Sequence, residues 1–190
     1  MTRISGFTIG AGLALWMLSA PPAAAQWFSS TPTPLPEIEE TVAERHDDIA
    51  HIEPEEFVKM QAAGDEFILL DVREKGEFDV SHIPGAIQID PGARATDVQA
   101  LLANAGADAD TPVVVYCSVG RRSSRLGSRV VDALDGRKVA NLRGGVFAWH
   151  NEELPLENAA GTTDAVHPYN TKWGKLIERS EGISYEPVEN

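Results

Sequence analysis

Four short apolar runs, each followed by a segment of helical character, occupy the middle of the sequence. Runs of this length, bounded by turn residues, are typical of buried strands. Their alternation with helices predicts an α/β fold, an open parallel sheet with helices on both faces. The runs are FILLD (67–71), AIQID (86–90), PVVVYC (112–117) and KVANL (138–142).

The predicted helices have recognisable ends. EPEEFVKMQAAGD carries Pro54 in its first turn and stops at Gly64, and TDVQALLANAG begins with Thr96 as a cap. SSRLGSRVVDALDG (123–136) and GGVFAWHNEE (144–153) supply two more helices. Ligands of such folds bind where strand carboxyl ends meet helix amino ends, so those junctions are the first places to seek a site.

The ends of the chain differ from this middle part. Residues 1–25 resemble an export signal, with Arg3 followed by an uncharged apolar run from Ile4 to Ala20 and by small residues before Gln26. An uncleaved membrane anchor is the alternative, but a run of 17 residues is short for a span of about 20. We therefore expect a periplasmic or secreted protein that is free of the membrane after cleavage.

Three segments complete the predicted organisation. Residues 26–48 are rich in proline, threonine and acids and are predicted to form an extended or mobile linker, and 49–157 form the globular domain. The tail, 158–190, carries too many aromatic residues for a purely solvated segment, so we expect it to dock on the domain or on a protein partner. The formal net charge of −13 argues against nucleic-acid binding.

The chain contains a single cysteine, Cys117. Exported proteins meet oxidising conditions in which structural cysteines form pairs, and one cysteine cannot form an internal disulfide. A lone thiol then indicates an intermolecular disulfide or a reactive group, and the alternative is a small buried apolar residue.

The residues after Cys117 favour the reactive alternative. The loop CSVGRR (117–122) joins a strand to a helix, and Gly120 allows it to curl so that several backbone N–H groups point inward. These groups, the helix dipole and the charges of Arg121 and Arg122 favour a thiolate over a thiol. The thiolate is the nucleophilic form of cysteine.

Four sequence motifs resemble those of the single-domain rhodaneses, a family of sulfurtransferases. They are LLDVRE (69–74), EFDVSHIPGAI (77–87), YCSVGRRS (116–123) and NLRGGVFAW (141–149), and the resemblance covers about residues 50–157. It implies an α/β domain whose cysteine accepts a sulfane sulfur from a donor such as thiosulfate. The resulting persulfide passes the sulfur to cyanide or to a thiol.

The resemblance also implies roles for individual residues. Cys117 is the persulfide-forming nucleophile, and Ser123 caps the following helix. The substrate-binding residues are Ser118, Val119, Gly120, Arg121, Arg122 and Ser123, and the first five form a cradle mainly through their backbone N–H groups.

Other matching positions are interpreted as structural. Asp71 and Arg73 tie strand ends together, and His82 orders a turn, although a role as a base toward Cys117 is an alternative. Gly144 and Gly145 permit close backbone packing, and Trp149 belongs to the core.

Loop length separates the chemical alternatives. Cysteine phosphatases place five residues between cysteine and arginine, whereas four lie between Cys117 and Arg122, which suits a sulfur atom better than a phosphate. Arg121 adds a second charge that favours a dianionic donor such as thiosulfate. A sulfur-carrier or binding module with slow turnover is the main alternative, and a phosphatase or arsenate reductase is a weaker one. No metal or organic cofactor is expected.

Overall fold

A five-stranded parallel sheet forms the centre of the computed structural model, which describes residues 33–134 and 136–188. The confirmed α/β fold places the strand before Cys117 in the middle of the sheet, because strands run in the order β1, β5, β4, β2, β3. The strands are β1 (Ala50–Ile52), β2 (Ile68–Asp71), β3 (Ile87–Gln88), β4 (Val113–Tyr116) and β5 (Val139–Leu142).

The helices cover both faces of this sheet. They are α1 (Leu35–Arg45), α2 (Pro54–Ala63), α3 (Lys75–Val80), α4 (Ala95–Asn104), α5 (Arg121–Val130) and α6 (Gly145–Asn151). As predicted, α2 begins at Pro54 and is followed by Gly64, whose φ of 74° is left-handed. An antiparallel pair, β6 (Leu156–Asn158) and β7 (Gly161–Thr163), follows α6.

Alternation along β4 divides the core into two apolar clusters. Val114 and Tyr116 belong to one cluster, with Phe57 and Trp149, and this confirms Trp149 as a core residue. Val113, Val115 and Cys117 belong to the other, which Leu126 and Val130 of α5 join. Successive side chains of a strand point to opposite faces, so Cys117 lies on the α5 side of the sheet.

The predicted linker differs from the structure over α1. Residues 26–48 were expected to be extended or mobile, but Leu35–Arg45 form a helix. Ile38 and Val42 lie four residues apart on one face of it and pack into the cluster that contains Trp149. Burial of this apolar face stabilises a helix that its proline-rich, acidic composition does not suggest. The predicted signal, residues 1–25, and residues 26–32 lie outside the described residues.

Two local boundaries also differ from the predictions. Strand β1, Ala50–Ile52, has only three residues and pairs with β5. It was not predicted, because the sequence has no apolar run at this position. Helix α4 begins at Ala95 rather than after Thr96, because the Asp97 carboxylate accepts a hydrogen bond from the Arg94 backbone N–H at 2.9 Å. Thr96 therefore lies inside the first turn.

The C-terminal segment packs on α6. Asn151 donates a side-chain hydrogen bond to the Leu176 carbonyl and accepts one from the Glu178 N–H, at 3.0 and 2.9 Å. Val166 and Leu176 are buried in the same cluster as Trp149. In the part of the chain that the structure describes, no helix has the length and apolar character needed to cross a membrane.

Candidate functional site

Cys117 lies directly after the central strand, and α5 begins four residues later. Gly120 precedes the helix with a φ of 84°, a left-handed value that favours glycine. A Cβ atom at this position would lie 3.0 Å from the Asn141 side-chain nitrogen. The short turn at Gly120 therefore depends on the absence of a side chain.

The loop carbonyls point toward α6. The Cys117 carbonyl accepts a hydrogen bond from the Val146 N–H at 2.8 Å, and the Ser118 carbonyl accepts one from Phe147 at 3.1 Å. Gly145 makes this approach possible, because a Cβ there would overlap the Cys117 carbonyl oxygen. The prediction that this glycine permits close backbone packing is confirmed.

The N–H groups of the same loop are left without partners. Among the described residues, the N–H groups of residues 118–122 donate to no acceptor. Consecutive unpaired N–H groups at the start of a helix form a site for anions. The geometry therefore offers a ready set of donors beside Cys117.

Ser123 does not cap α5 as the sequence suggested. The helix begins at Arg121, and Ser123 lies inside it with its hydroxyl donating to Asn141 Oδ1 at 2.6 Å. Ser124 donates to the Gly120 carbonyl, also at 2.6 Å. Ser123 is fully buried and joins α5 to β5, because the chain turns into the helix at Gly120, three residues earlier than expected.

A cavity of about 220 Å³ opens beside the cysteine. The thiol-bearing residue is 1% exposed and packs on the aliphatic cluster under α5 while bordering this cavity. Gly120 and Ser123 do not line it. The lining residues are Cys117, Ser118, Val119, Arg121, Arg122, Arg125, Tyr169 and Trp173.

Glu77 holds the Arg122 side chain in place, a role that the sequence did not predict. Its carboxylate accepts two hydrogen bonds from the Arg122 guanidinium, at 2.7 and 2.8 Å, and one from the Ser118 hydroxyl at 3.1 Å. Arg122 also donates to the Ser118 hydroxyl at 2.9 Å. The only available signal was the position of Glu77 within the motif EFDVSHIPGAI.

The protonation states follow from these contacts. Burial raises the pKa of Glu77, but hydrogen bonds and charge from Arg122 outweigh it and leave the pKa below its usual range. For Arg122, burial acts to lower the pKa, whereas the hydrogen bond to Glu77 and the nearby Cys117 sulfur raise it. Both side chains are therefore charged at neutral pH.

Two aromatic residues of the C-terminal segment cover the loop. The Arg122 guanidinium carbon lies 5.0 Å from the centre of the Tyr169 ring, and that of Arg121 lies 5.9 Å from Trp173. Both distances are suitable for cation–π contacts. The aromatic composition of the tail predicted docking, but it did not indicate that the rings would border the cysteine.

A model of the rhodanese-like domain family matches residues 53–152. The chain belongs to the rhodanese-like family. The match contains Cys117, its loop and Glu77, while Tyr169, Trp173 and α1 lie outside it.

Curated relatives of this rhodanese-like chain include named sulfurtransferases. A sulfurtransferase of Allochromatium vinosum is 30% identical over 108 residues, which are 57% of this chain and 94% of the relative. The adenylyltransferase and sulfurtransferase uba4 of Pyricularia oryzae is 37% identical over 99 residues, which cover 45% of this chain but only 20% of that protein. These relatives support a role of the sulfurtransferase type.

Solved structures agree on the rhodanese fold. The thiosulfate sulfurtransferase from Pseudomonas aeruginosa superposes with a TM-score of 0.55 and 26% identity, over 75% of this chain and 26% of that one. The BH2092 protein from Bacillus halodurans gives a TM-score of 0.51 at 21% identity, over 64% of this chain and 88% of that one.

The buried pair Asp71 and Arg73 supports the rhodanese-like domain away from the cavity. Both side chains are fully buried, and Arg73 donates to Asp71 and to the Ser81 carbonyl. Burial acts to lower the pKa of Arg73, but the Asp71 carboxylate raises it. The pair joins the end of β2 to the segment after α3, in agreement with its interpretation as structural.

His82 also lies outside the Cys117 cavity. Its ring stacks on Phe78 at a centroid distance of 3.8 Å, and its Nδ1 lies 3.1 Å from the Phe78 carbonyl. Its backbone pairs with that of Glu157. These contacts order the turn after α3, as predicted, and they direct the ring to Phe78 rather than to the thiol.

Proposed function

We propose that this rhodanese-like protein transfers a sulfane sulfur from thiosulfate or a related donor, through a persulfide on Cys117, to cyanide or a thiol. The observation that carries the proposal is the row of unpaired N–H groups, residues 118–122, beside the only cysteine. Such donors stabilise an anionic sulfur in the same way that an oxyanion hole stabilises an oxygen.

The proposed reaction has two steps. The Cys117 thiolate attacks the outer sulfur of thiosulfate, the sulfur–sulfur bond of the donor breaks, and its electron pair leaves with sulfite. The acceptor then attacks the terminal sulfur of the persulfide, and Cys117 departs as a thiolate. The enzyme returns to its first state, so we expect ping-pong kinetics.

The cavity residues are assigned by charge and position. Arg122, which Glu77 and Ser118 orient, faces the reacting sulfur, and Arg121 is exposed and free to attract a dianionic donor. Tyr169 and Trp173 line the cavity and restrict access to the persulfide, which limits its loss to other thiols and to oxidants in solution.

Intact-mass spectrometry after incubation with thiosulfate tests the first step. We expect a gain of one sulfur atom, its loss on addition of cyanide, and no gain in Cys117→Ser. A Cys117→Ser variant that still produced thiocyanate would refute the assignment of the nucleophile.

A sulfur-carrier module with slow turnover is the second candidate. It is favoured by the low exposure of Cys117, which is 1% in a cavity with aromatic cover. Stoichiometric loading by thiosulfate, followed by turnover with cyanide and small thiols far slower than loading, would select this candidate over the enzyme.

We further propose that the protein is exported and that its signal is removed before Gln26. The apolar run from Ile4 to Ala20 and the small residues Ala23 and Ala25 support this proposal. Amino-terminal sequencing of the protein recovered from a fractionated bacterial host tests it, and a retained Met1 in the membrane fraction would indicate an anchor.

A further inference from the structure

Three arginines have guanidinium groups without a hydrogen bond or ion pair to any described residue, namely Arg45, Arg121 and Arg125. The remaining arginines of the described ranges bind carboxylates or backbone carbonyls. These are Arg73, Arg94, Arg122, Arg129, Arg137, Arg143 and Arg179. Within the described ranges, Arg121 is the one of the three whose guanidinium lies over an aromatic ring, that of Trp173.

The three arginines converge on a second cavity. A cleft of about 220 Å³ lies between α1 and α5, and Arg45 borders it from α1 while Arg121 and Arg125 border it from α5. The same two α5 residues also border the Cys117 cavity, so the two spaces adjoin. Arg121 and Arg125 are four residues apart and therefore share one helix face.

The cleft is basic, although the chain carries a net charge of −13. Among its lining residues, Glu37 supplies the only carboxylate opposite the three guanidinium groups. Burial lowers the pKa of His46. The Asp48 carboxylate acts to raise this pKa, but the charges of Arg125 and Arg45 lower it further, so the His46 ring is neutral near pH 7. Like charges at positions i and i+4 destabilise a helix slightly, so fold stability does not account for this arrangement.

We propose that the cleft between α1 and α5 is an anion-binding subsite for the carboxylates of the thiol that removes the sulfur from Cys117. This inference rests on the proposed sulfur transfer. Guanidinium groups bind carboxylates through paired hydrogen bonds. Because the cleft adjoins the Cys117 cavity at Arg121 and Arg125, a thiol that occupies both spaces must carry its carboxylates away from its sulfur, as a small peptide thiol with free carboxylates does.

The acceptor bound at this subsite removes the sulfur by nucleophilic attack. The acceptor thiolate attacks the terminal sulfur of the Cys117 persulfide, a new sulfur–sulfur bond forms on the acceptor, and the enzyme's own sulfur–sulfur bond breaks. Its electron pair returns to Cys117 Sγ, and the product is the acceptor persulfide.

Acceptor kinetics with two thiols test the subsite. Glutathione carries two carboxylates and 2-mercaptoethanol carries none. We expect Arg45→Gln to lower the ratio of kcat/KM for glutathione to that for 2-mercaptoethanol by about three- to tenfold, as befits a partly exposed ion pair. Lys59→Gln removes one positive charge from an exposed position on α2, away from the cleft, and should leave this ratio unchanged.

A binding measurement separates this inference from the proposed function. Cys117→Ser is titrated calorimetrically with S-methylglutathione, which cannot react, and Arg45→Gln in that background should bind about three- to tenfold more weakly. Failure of thiosulfate to load Cys117 would refute the sulfur transfer without affecting this titration. Equal affinities with and without Arg45, or an equal effect on both thiols, would overturn the subsite.

Discussion

Glu77 of α3 binds Arg122 of α5 through two hydrogen bonds, of 2.7 and 2.8 Å, and Arg122 lines the Cys117 cavity. The side chain of Glu77 is 4% exposed and that of Arg122 is 24% exposed. A carboxylate in this position orients the guanidinium and also reduces the charge that it presents to an incoming anion. Arg122 is therefore better suited to positioning the loop than to attracting donors from a distance.

Glu77→Gln should lower kcat/KM for thiosulfate by about tenfold or more, because the amide has no charge and only one acceptor oxygen for the three hydrogen bonds that Arg122 and Ser118 donate. Breaking a partly buried ion pair of this kind should also cost about 1–3 kcal/mol of unfolding free energy. Steady-state kinetics and urea denaturation measure the two effects. Asp79→Asn, on the same helix but paired with exposed Lys75, is the control. Equal effects of the two variants would contradict the assignment.

Tyr169→Ala should raise KM for thiosulfate by about two- to fivefold, since a cation–π contact contributes about 0.5–1 kcal/mol at an exposed site. It should also shorten the lifetime of the loaded persulfide, which mass spectrometry follows over time. Tyr169→Phe retains the ring and should behave like the parent. Tyr185→Ala removes an exposed ring that contacts His167 and does not line the cavity, so it should have no effect on either quantity.

Gly145→Ala should be strongly destabilising, by about 3 kcal/mol or more, because the added Cβ would overlap the Cys117 carbonyl oxygen. The comparison is Gly85→Ala, where φ is also positive, at 80°, but no atom lies within 4 Å of the added carbon. That change should cost only about 1–2 kcal/mol of backbone strain. Urea denaturation of both variants separates overlap from strain, and equal losses would show that the close approach is unimportant.

The stability of the fold should decrease as the pH falls from 8 to 6. Burial lowers the pKa of His150 and outweighs the hydrogen bond to the Asp164 carbonyl, which acts to raise it. Burial also lowers the pKa of His46 and of His167. A histidine whose folded pKa lies below its unfolded value of about 6.5 binds more protons when unfolded. Its stabilising contribution is complete above the unfolded value and is lost progressively as the pH falls below that value and through the folded pKa.

Thermal unfolding at pH 8 and pH 6 measures this dependence. The melting temperature should be lower at pH 6, and His150→Gln should reduce the difference between the two values. A melting temperature that rises on acidification over this range would contradict the assignment of these rings as neutral in the folded chain.

The main features of the fold follow from local sequence. The apolar run PVVVYC predicts a buried strand, and Gly120 predicts a sharp turn into a helix. The structure contains all three features. Helix α1 was missed because its stability comes from Ile38 and Val42 packing on a distant cluster, whereas its composition suggests a linker.

The site was predictable only in part for the same reason. Ser123 looked like a cap because serine prefers that position, but Gly120 starts the helix earlier and the hydroxyl binds Asn141 instead. Tyr169 and Trp173 reach the cavity, and Glu77 reaches Arg122, through tertiary packing. These residues lie 52, 56 and 40 positions from Cys117 in the chain, and no local pattern predicts contacts over such separations.

The residues beside Cys117 come from two sources. The matched domain supplies the nucleophile and its N–H groups, whereas Tyr169 and Trp173 belong to a segment that follows the match. Under the proposed sulfur transfer, the reacting thiol and the aromatic rings that border its cavity are thereby encoded in separate stretches of the gene. Replacement of the terminal stretch is accordingly expected to change the walls of the cavity while leaving Cys117 and its loop intact.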